Sequence, residues 1–194
     1  MALTPKICLA EPKDVIWNCG GKVTWFGNRR YFYSGSNISH LPQITFSEIT
    51  FITGCALLYK PEITGLLSEQ FFFGEEDFEF SLRLLRKKQK MACVYDSLIY
   101  HKVGRSVKVN FDVSYNRLFL HYVSRLINHK AYYSKMFRWF IRILHLFYGF
   151  YLTFVRHKYG FINSIKFWLK VSQYVSNHDK VAKGDFISIM KLSF

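Results

Sequence analysis

Cysteine is scarce in this 194-residue chain and is not arranged for chemistry. The four residues, Cys8, Cys19, Cys55 and Cys93, never fall at the short spacings of a zinc knuckle or a redox pair. That pattern, with no secretory leader ahead of it, reads as free thiols in a reducing compartment. Glycine is not concentrated into a phosphate-cradling loop, and no alternating strand–helix series frames a dinucleotide site. Internal repeats and low-complexity tracts are absent. A clean membrane span is lacking too: the best apolar run, Phe137 to Val155, carries Arg138, Arg142 and His145. Two arginines inside a bilayer are costly, so this stretch is expected to lie in the interface and not to cross it. Acidic residues are rare in one half only: residues 100–194 hold 3 Asp/Glu against 16 Lys/Arg, whereas residues 1–99 hold 10 against 11.

What the chain does have is apolar mass. Half of its residues are hydrophobic, and 20 Phe and 13 Tyr give it a heavy aromatic load. A core can be buried, and disorder is excluded for most of the length. The basic second half, interleaved with Tyr, Phe and Trp, calls for an anionic partner. An anionic membrane surface fits best, because bases attract headgroups and aromatic rings settle at the interface. A nucleic-acid binder needs the same charge but also a recognisable binding module, and none occurs.

Short extended pieces and turns fill the first forty residues, with a flexible turn at Gly20-Gly21 and a strand over Lys22 to Phe26. A strand is expected from Glu48 to Tyr59, interrupted by Gly54. Pro61 opens a helical turn that Gly65 stops. The acids Glu75, Glu76, Asp77 and Glu79 precede Arg83, Arg86, Lys87 and Lys88, the order that opposes a helix macrodipole, and Phe78, Leu82 and Leu85 recur at helical spacing. A helix therefore covers about Glu76 to Lys88, with Glu75 read as part of its solvated acidic start. A strand at Ala92 to Tyr95 and a loop over Tyr100 to Ser106 follow. Helices are expected from Ser114, over Tyr133 to Lys158 and over Phe161 to Val175, and the polar tail after Asn177 is expected to be loose. The domain plan is thus 1–112, a basic aromatic helical region 113–178, and a tail 179–194.

Four landmarks then stand in order. They are Phe51-Ile52-Thr53-Gly54-Cys55-Ala56-Leu57-Leu58, Gly65-Leu66-Leu67-Ser68-Glu69-Gln70-Phe71-Phe72, Glu76-Asp77-Phe78-Glu79-Phe80-Ser81-Leu82-Arg83, and Tyr100-His101-x-x-Gly104-x-Ser106. Upstream lies Trp17-Asn18-Cys19-Gly20-Gly21. Together they resemble the C-terminal catalytic portion of family 2 glycosyltransferases, especially the rhamnosyltransferase-like members. Ser68 and Glu79 stand where that pattern has Asp. The resemblance implies an α/β fold: the C-terminal part of a GT-A (nucleotide-diphospho-sugar transferase) fold followed by a basic α-helical membrane-associating tail. It covers about 90 residues, and the tail matches by character and not by motif. The family's N-terminal half, with its nucleotide-binding units and cation-gripping Asp-x-Asp, has no counterpart in residues 1–194.

The resemblance implies an inverting transfer of a sugar, such as rhamnose, from a nucleotide sugar to a lipid-linked or polysaccharide acceptor in cell-surface glycan synthesis. It places the catalytic base at Asp77, with Glu76 beside it to orient it or touch the sugar. Thr53, Gly54, Arg83, His101, Gly104 and Ser106 are the implied substrate-binding positions. A nucleotide-diphospho-sugar donor and Mg or Mn belong to the complete enzyme. This chain alone is expected to hold neither, because a divalent cation needs several oxygen ligands and His101 is at most an auxiliary one. Expected partners are the anionic membrane surface, the sugar acceptor, a polypeptide carrying the nucleotide-binding half, and no nucleic acid. The expected location is cytoplasmic, peripheral to the inner face of the cell membrane. The alternative is a non-catalytic remnant or a module binding membrane or acceptor without a nucleotide site. Plainer roles compete at each position: a salt bridge for Arg83, a structural histidine for His101, and core packing for Trp17 and Trp25.

Overall fold

A computed structural model describes residues 1–103 and 113–192, and the chain divides into two compact units. The first comprises residues 1–68 and 76–108, and the second comprises 69–75 and 109–194. The architecture is mixed α/β.

In the first unit a mixed sheet is built around β1 (Ala2–Leu9) and β7 (Met91–His101), which run parallel from Ala2 opposite Met91 to Leu9 opposite His101. The register slips between Pro5 and Lys6, so that Pro5 faces Val94 and Lys6 faces Leu98, leaving Tyr95, Asp96 and Ser97 as extra residues on β7. Along the outer edge of β1, β2 (Ile16–Asn18) and the two-residue β6 (Leu58–Tyr59) pair antiparallel. On the other side β5 (Phe46–Ile49) pairs antiparallel with β7. A separate hairpin joins β3 (Gly21–Val23) to β4 (Arg29–Tyr31). Gly21 is obligatory there, because a Cβ would lie 2.3 Å from the Arg30 carbonyl oxygen.

The short α1 (Pro61–Thr64) and the eleven-residue α2 (Glu76–Arg86) complete the unit. Phe80 and Leu84 of α2 enter a core with Ile16, Ile49, Ile52, Met91 and Cys93. Burying one such Phe or Leu side chain contributes about 1.5–3 kcal/mol. All four cysteines are free thiols, and only Cys55 is exposed.

The expected strand over Glu48 to Tyr59 is not continuous. β5 ends at Ile49, and the chain leaves the sheet before re-entering at β6. The departure is held by side chains: the Thr50 hydroxyl accepts from the Val23 amide, and the Ser81 hydroxyl accepts from the Ile52 amide. Likewise the expected strand over Lys22 to Phe26 ends at Val23, where Thr24 to Asn28 form the hairpin turn.

The second unit is helical: α3 (Val113–Tyr132), α4 (Lys135–Tyr151), α5 (Phe161–Asn177) and α6 (Lys183–Met190). Phe119, Val123, Leu126 and Ile127 of α3 pack with Phe167, Trp168 and Val171 of α5. At Gly149 the two helices α4 and α5 come so close that a Cβ would lie 1.8 Å from the Trp168 ring. The helix expected to run on to Lys158 changes at Leu152 into a π turn over Leu152–Arg156, where the Thr153 hydroxyl donates to the Gly149 carbonyl and accepts from the Trp168 indole. Among the described residues no helix is long and apolar enough to cross a membrane.

The tail is not loose. Val181 is fully buried and exchanges backbone hydrogen bonds with Gln70 and Phe72, and α6 delivers Ile189 and Met190 to the same core as Phe71. The apolar positions among polar neighbours are what order it: each covers core that would otherwise face water.

Candidate functional site

Asp77 occupies the first turn of α2, and its carboxylate is fixed from two sides. The Gly54 amide donates to Oδ2 at 3.3 Å, and Nη1 of Arg29 donates to Oδ1 at 3.4 Å. One turn further along α2, the Ser81 hydroxyl donates to the Asp77 carbonyl at 2.8 Å while accepting from the Ile52 amide at 3.0 Å. Two residues on the departing chain, Ile52 and Gly54, are therefore stitched to two successive turns of the helix. This cross-link sets the carboxylate's position, and the side chain stays partly open to solvent. A carboxylate so held is an oriented hydrogen-bond acceptor beside an exposed glycine, the arrangement a general base needs.

Arg29 had no place in the sequence reading. It reaches the site because β3 and β4 set Arg29 opposite Val23, on the same hairpin face as Gly21 and Tyr31. Its guanidinium lies 5.7 Å from the Tyr31 ring centre and 5.5 Å from that of Phe51. From Tyr31 an aromatic row continues to Trp17 at 6.2 Å and from Trp17 to His101 at 4.6 Å. Asp77, Arg29, Tyr31, Trp17 and His101 thus form one connected line along the first unit. The only signal in the sequence was the hairpin turn at Gly27-Asn28, which would have put Arg29 and Gly21 on one face.

The other expected positions separate in behaviour. Thr53 is buried, and its hydroxyl accepts from the Cys55 amide at 3.4 Å, shaping the turn that presents Gly54. Glu76 neighbours Asp77 in the first turn of α2 and is partly buried. Arg83 is occupied elsewhere. Nε and Nη2 donate to the Glu79 carboxylate at 3.1 and 3.4 Å, and Nη1 and Nη2 donate to the carbonyls of Thr64 and Leu66 at 2.6 and 2.7 Å. That guanidinium clamps the chain after α1 onto α2. His101 closes β7 opposite Leu9 and packs on Trp17. Gly104 and Ser106 lie outside the described residues. Trp25 stands exposed at the hairpin turn against Phe26.

Among the described residues no three His, Cys, Asp or Glu side chains come together as a metal site. On the other hairpin face, Lys22 and Arg30 border an open cleft of about 760 Å³ with Tyr33, Ser47 and Tyr95, and none of the expected site residues lines it.

In the second unit Glu75 is not part of a solvated helix start. It is 3% exposed, with a positive φ of 72°, and its carboxylate accepts from Nε and Nη2 of Arg125 at 2.5 and 2.9 Å. His121 Nδ1 lies 3.3 Å from the same carboxylate, and the Asn128 amide donates to the Glu75 carbonyl at 3.2 Å. A buried bidentate pair of this kind fixes the Phe71–Glu75 segment on α3. Nearby, His145 is buried on α4 and donates through Nδ1 to the Ile141 carbonyl at 2.9 Å. Burial pushes its pKa below the usual histidine value, the Ile141 contact opposes that, and the charges of Arg125 and His121 add to the lowering.

The sequence matches no protein-family model and no curated protein.

Proposed function

We propose that this chain is the acceptor-side half of an inverting, family 2-type glycosyltransferase working at an anionic membrane surface. The observation that carries it is the Asp77 carboxylate, gripped by the Gly54 amide and by Arg29 where chain and helix are cross-linked. In this reading an acceptor hydroxyl approaches Gly54, Asp77 takes its proton as the new glycosidic bond forms, and the nucleoside diphosphate leaves from the opposite face. Arg29 orients Asp77, Glu76 supports the turn, and Trp17 and Tyr31 offer ring faces to the C–H surface of a saccharide. Thr53 shapes the turn and Arg83 holds α2. The donor, a nucleotide-diphospho-sugar with its Mg or Mn, is presented by a nucleotide-binding half on another polypeptide segment. The resemblance suggests a sugar such as rhamnose and a lipid-linked or polysaccharide chain as the acceptor.

The membrane part of the proposal rests on α4 and α5. Met136, Trp139, Phe147, Ile162 and Leu169 are exposed there beside Arg138, Arg142, Lys166 and Lys170. An amphipathic surface of this composition lies in the headgroup region with its apolar side chains down. In this reading the protein sits peripherally, at the inner face of the cell membrane.

Amide chemical shifts test the acceptor site with the chain alone. Titration with a panel of bacterial-type oligosaccharides should move the Gly54 and Asp77 amides and the Trp17 indole together, and Trp17→Ala should weaken that response. A panel that shifts none of these signals rejects the saccharide site and leaves the non-catalytic reading.

A further inference from the structure

Where α4 passes α3 and α5, a cavity of about 360 Å³ is lined by Lys135, Arg138, Trp139, Arg142 and His129. Lys135, Arg138 and Arg142 have no carboxylate partner among the described residues, whereas the nearby Lys130 is neutralised by Asp179 at 2.6 Å. Arg138 and Arg142 stand one turn apart on one helix, and Lys135 precedes Arg138 by another turn. Like charges at that spacing repel, and among the described residues no carboxylate pairs with them. They are also held in place. Nη1 of Arg138 donates to the Lys130 carbonyl at 2.7 Å, at the end of α3, and Nη2 of Arg142 donates to the Ser172 carbonyl on α5 at 3.3 Å. Each guanidinium keeps further N–H groups to offer, so two forks are oriented before any ligand arrives. Trp139, 68% exposed, lines the cavity beside this cluster, and Met136, 83% exposed, and Phe140 are further exposed apolar residues of the same helix.

We propose that this cavity binds the phosphate group of a lipid headgroup, held by Arg138, Arg142 and Lys135, with Met136, Trp139 and Phe140 entering the adjoining acyl region. Fixed guanidinium forks match a phosphate's oxygens in pairs, and a volume of this size takes one headgroup. The exposed apolar residues choose the lipid over a soluble phosphate, because a free anion would leave them in water. The proposal deepens the membrane-surface part of the proposed function and is independent of the chemistry at Asp77. A discrete site also differs from diffuse attraction to a charged surface: it saturates with one lipid and depends on particular bases.

Dihexanoyl phosphatidic acid, kept below its micelle concentration, removes the surface from the measurement. Titrated into the full chain and followed by the Trp139 indole and arginine Nε signals, it should bind saturably, one to one. Arg142→Gln should weaken it about tenfold or more, the loss of a charge-assisted hydrogen bond. Lys135→Gln, whose side chain makes no hydrogen bond within the described residues, should weaken it measurably without disturbing the fold. The control Arg86→Gln/Lys87→Gln, two exposed bases of the first unit, removes the same charge as two binding arginines would and should stay within about threefold, as for ordinary exposed charges. Inorganic phosphate should bind more weakly than the lipid, and Met136→Ser/Trp139→Ser should erase that difference. Failure to saturate, equal loss in the control, or equal affinity for inorganic phosphate each overturns the proposal. A missing saccharide response at Gly54 and Trp17 would instead overturn only the acceptor reading.

Discussion

Replacing Glu75 by Gln should be among the most damaging single changes in the helical unit. The Glu75 and Arg125 side chains are 3% and 2% exposed, and two charge-assisted hydrogen bonds join them. Glutamine keeps the shape but offers one acceptor oxygen in place of a carboxylate, and the Arg125 charge stays buried. Breaking a buried pair by removing one partner costs about 3–5 kcal/mol. His121 and Asn128 lose their alignment as well, so the upper part of that range applies. With a urea dependence of about 2 kcal/mol/M, the unfolding midpoint seen by tryptophan fluorescence should fall by roughly 2–2.5 M. Glu75→Leu/Arg125→Met removes both charges and should recover most of the loss, because well-packed apolar residues can replace a buried pair at little cost. A Glu75→Gln midpoint within about 0.25 M of the parent, the size of an ordinary surface change, would show that the pair is not buried as described.

Two other perturbations follow from the same packing. Gly149→Ala sets a methyl group against the Trp168 ring, closer than any real contact, and should destabilise by about 1–3 kcal/mol, read as a lower melting temperature. A melting temperature unchanged by that substitution contradicts the close crossing of α4 and α5. His145 has a pKa lowered by burial, so the unfolded chain binds its proton more readily than the folded one. Its contribution to stability is therefore whole above the ordinary histidine pKa and is lost as pH falls below it, toward the depressed folded value. Urea melts at pH 7.5 and 5.5 should show lower stability in acid, and His145→Gln should flatten the difference. An equally steep dependence in the variant would assign it to other groups.

Much of the fold was legible where the signal is local. α2 announced itself by acids first, bases last and apolar residues at helical spacing, and the structure places it at Glu76–Arg86. What was not legible depended on partners far along the chain. β1 spans Ala2–Leu9, although Thr4, Pro5 and Lys6 interrupt its apolar residues, because its parallel partner β7 supplies the hydrogen bonds. β7 runs on to His101 past extra residues that break its alternation. Glu75 looked like one more surface acid, and nothing near it in sequence points to Arg125, fifty residues away. The candidate site divides in the same way. Asp77 and Gly54 were identified separately, and the structure joins them, whereas Arg29 becomes visible only once the hairpin sets its face.

The most direct measurement is turnover by the chain supplied with a polypeptide that carries the nucleotide-sugar half, comparing Asp77 with Asp77→Asn. Asparagine keeps the size of the side chain and can still accept from Gly54, but it cannot take a proton. The account predicts that kcat falls by about 10²–10⁴, the range for loss of a positioned base, while KM for the acceptor changes little. Equal turnover by the two proteins would contradict it and remove Asp77 from the base role.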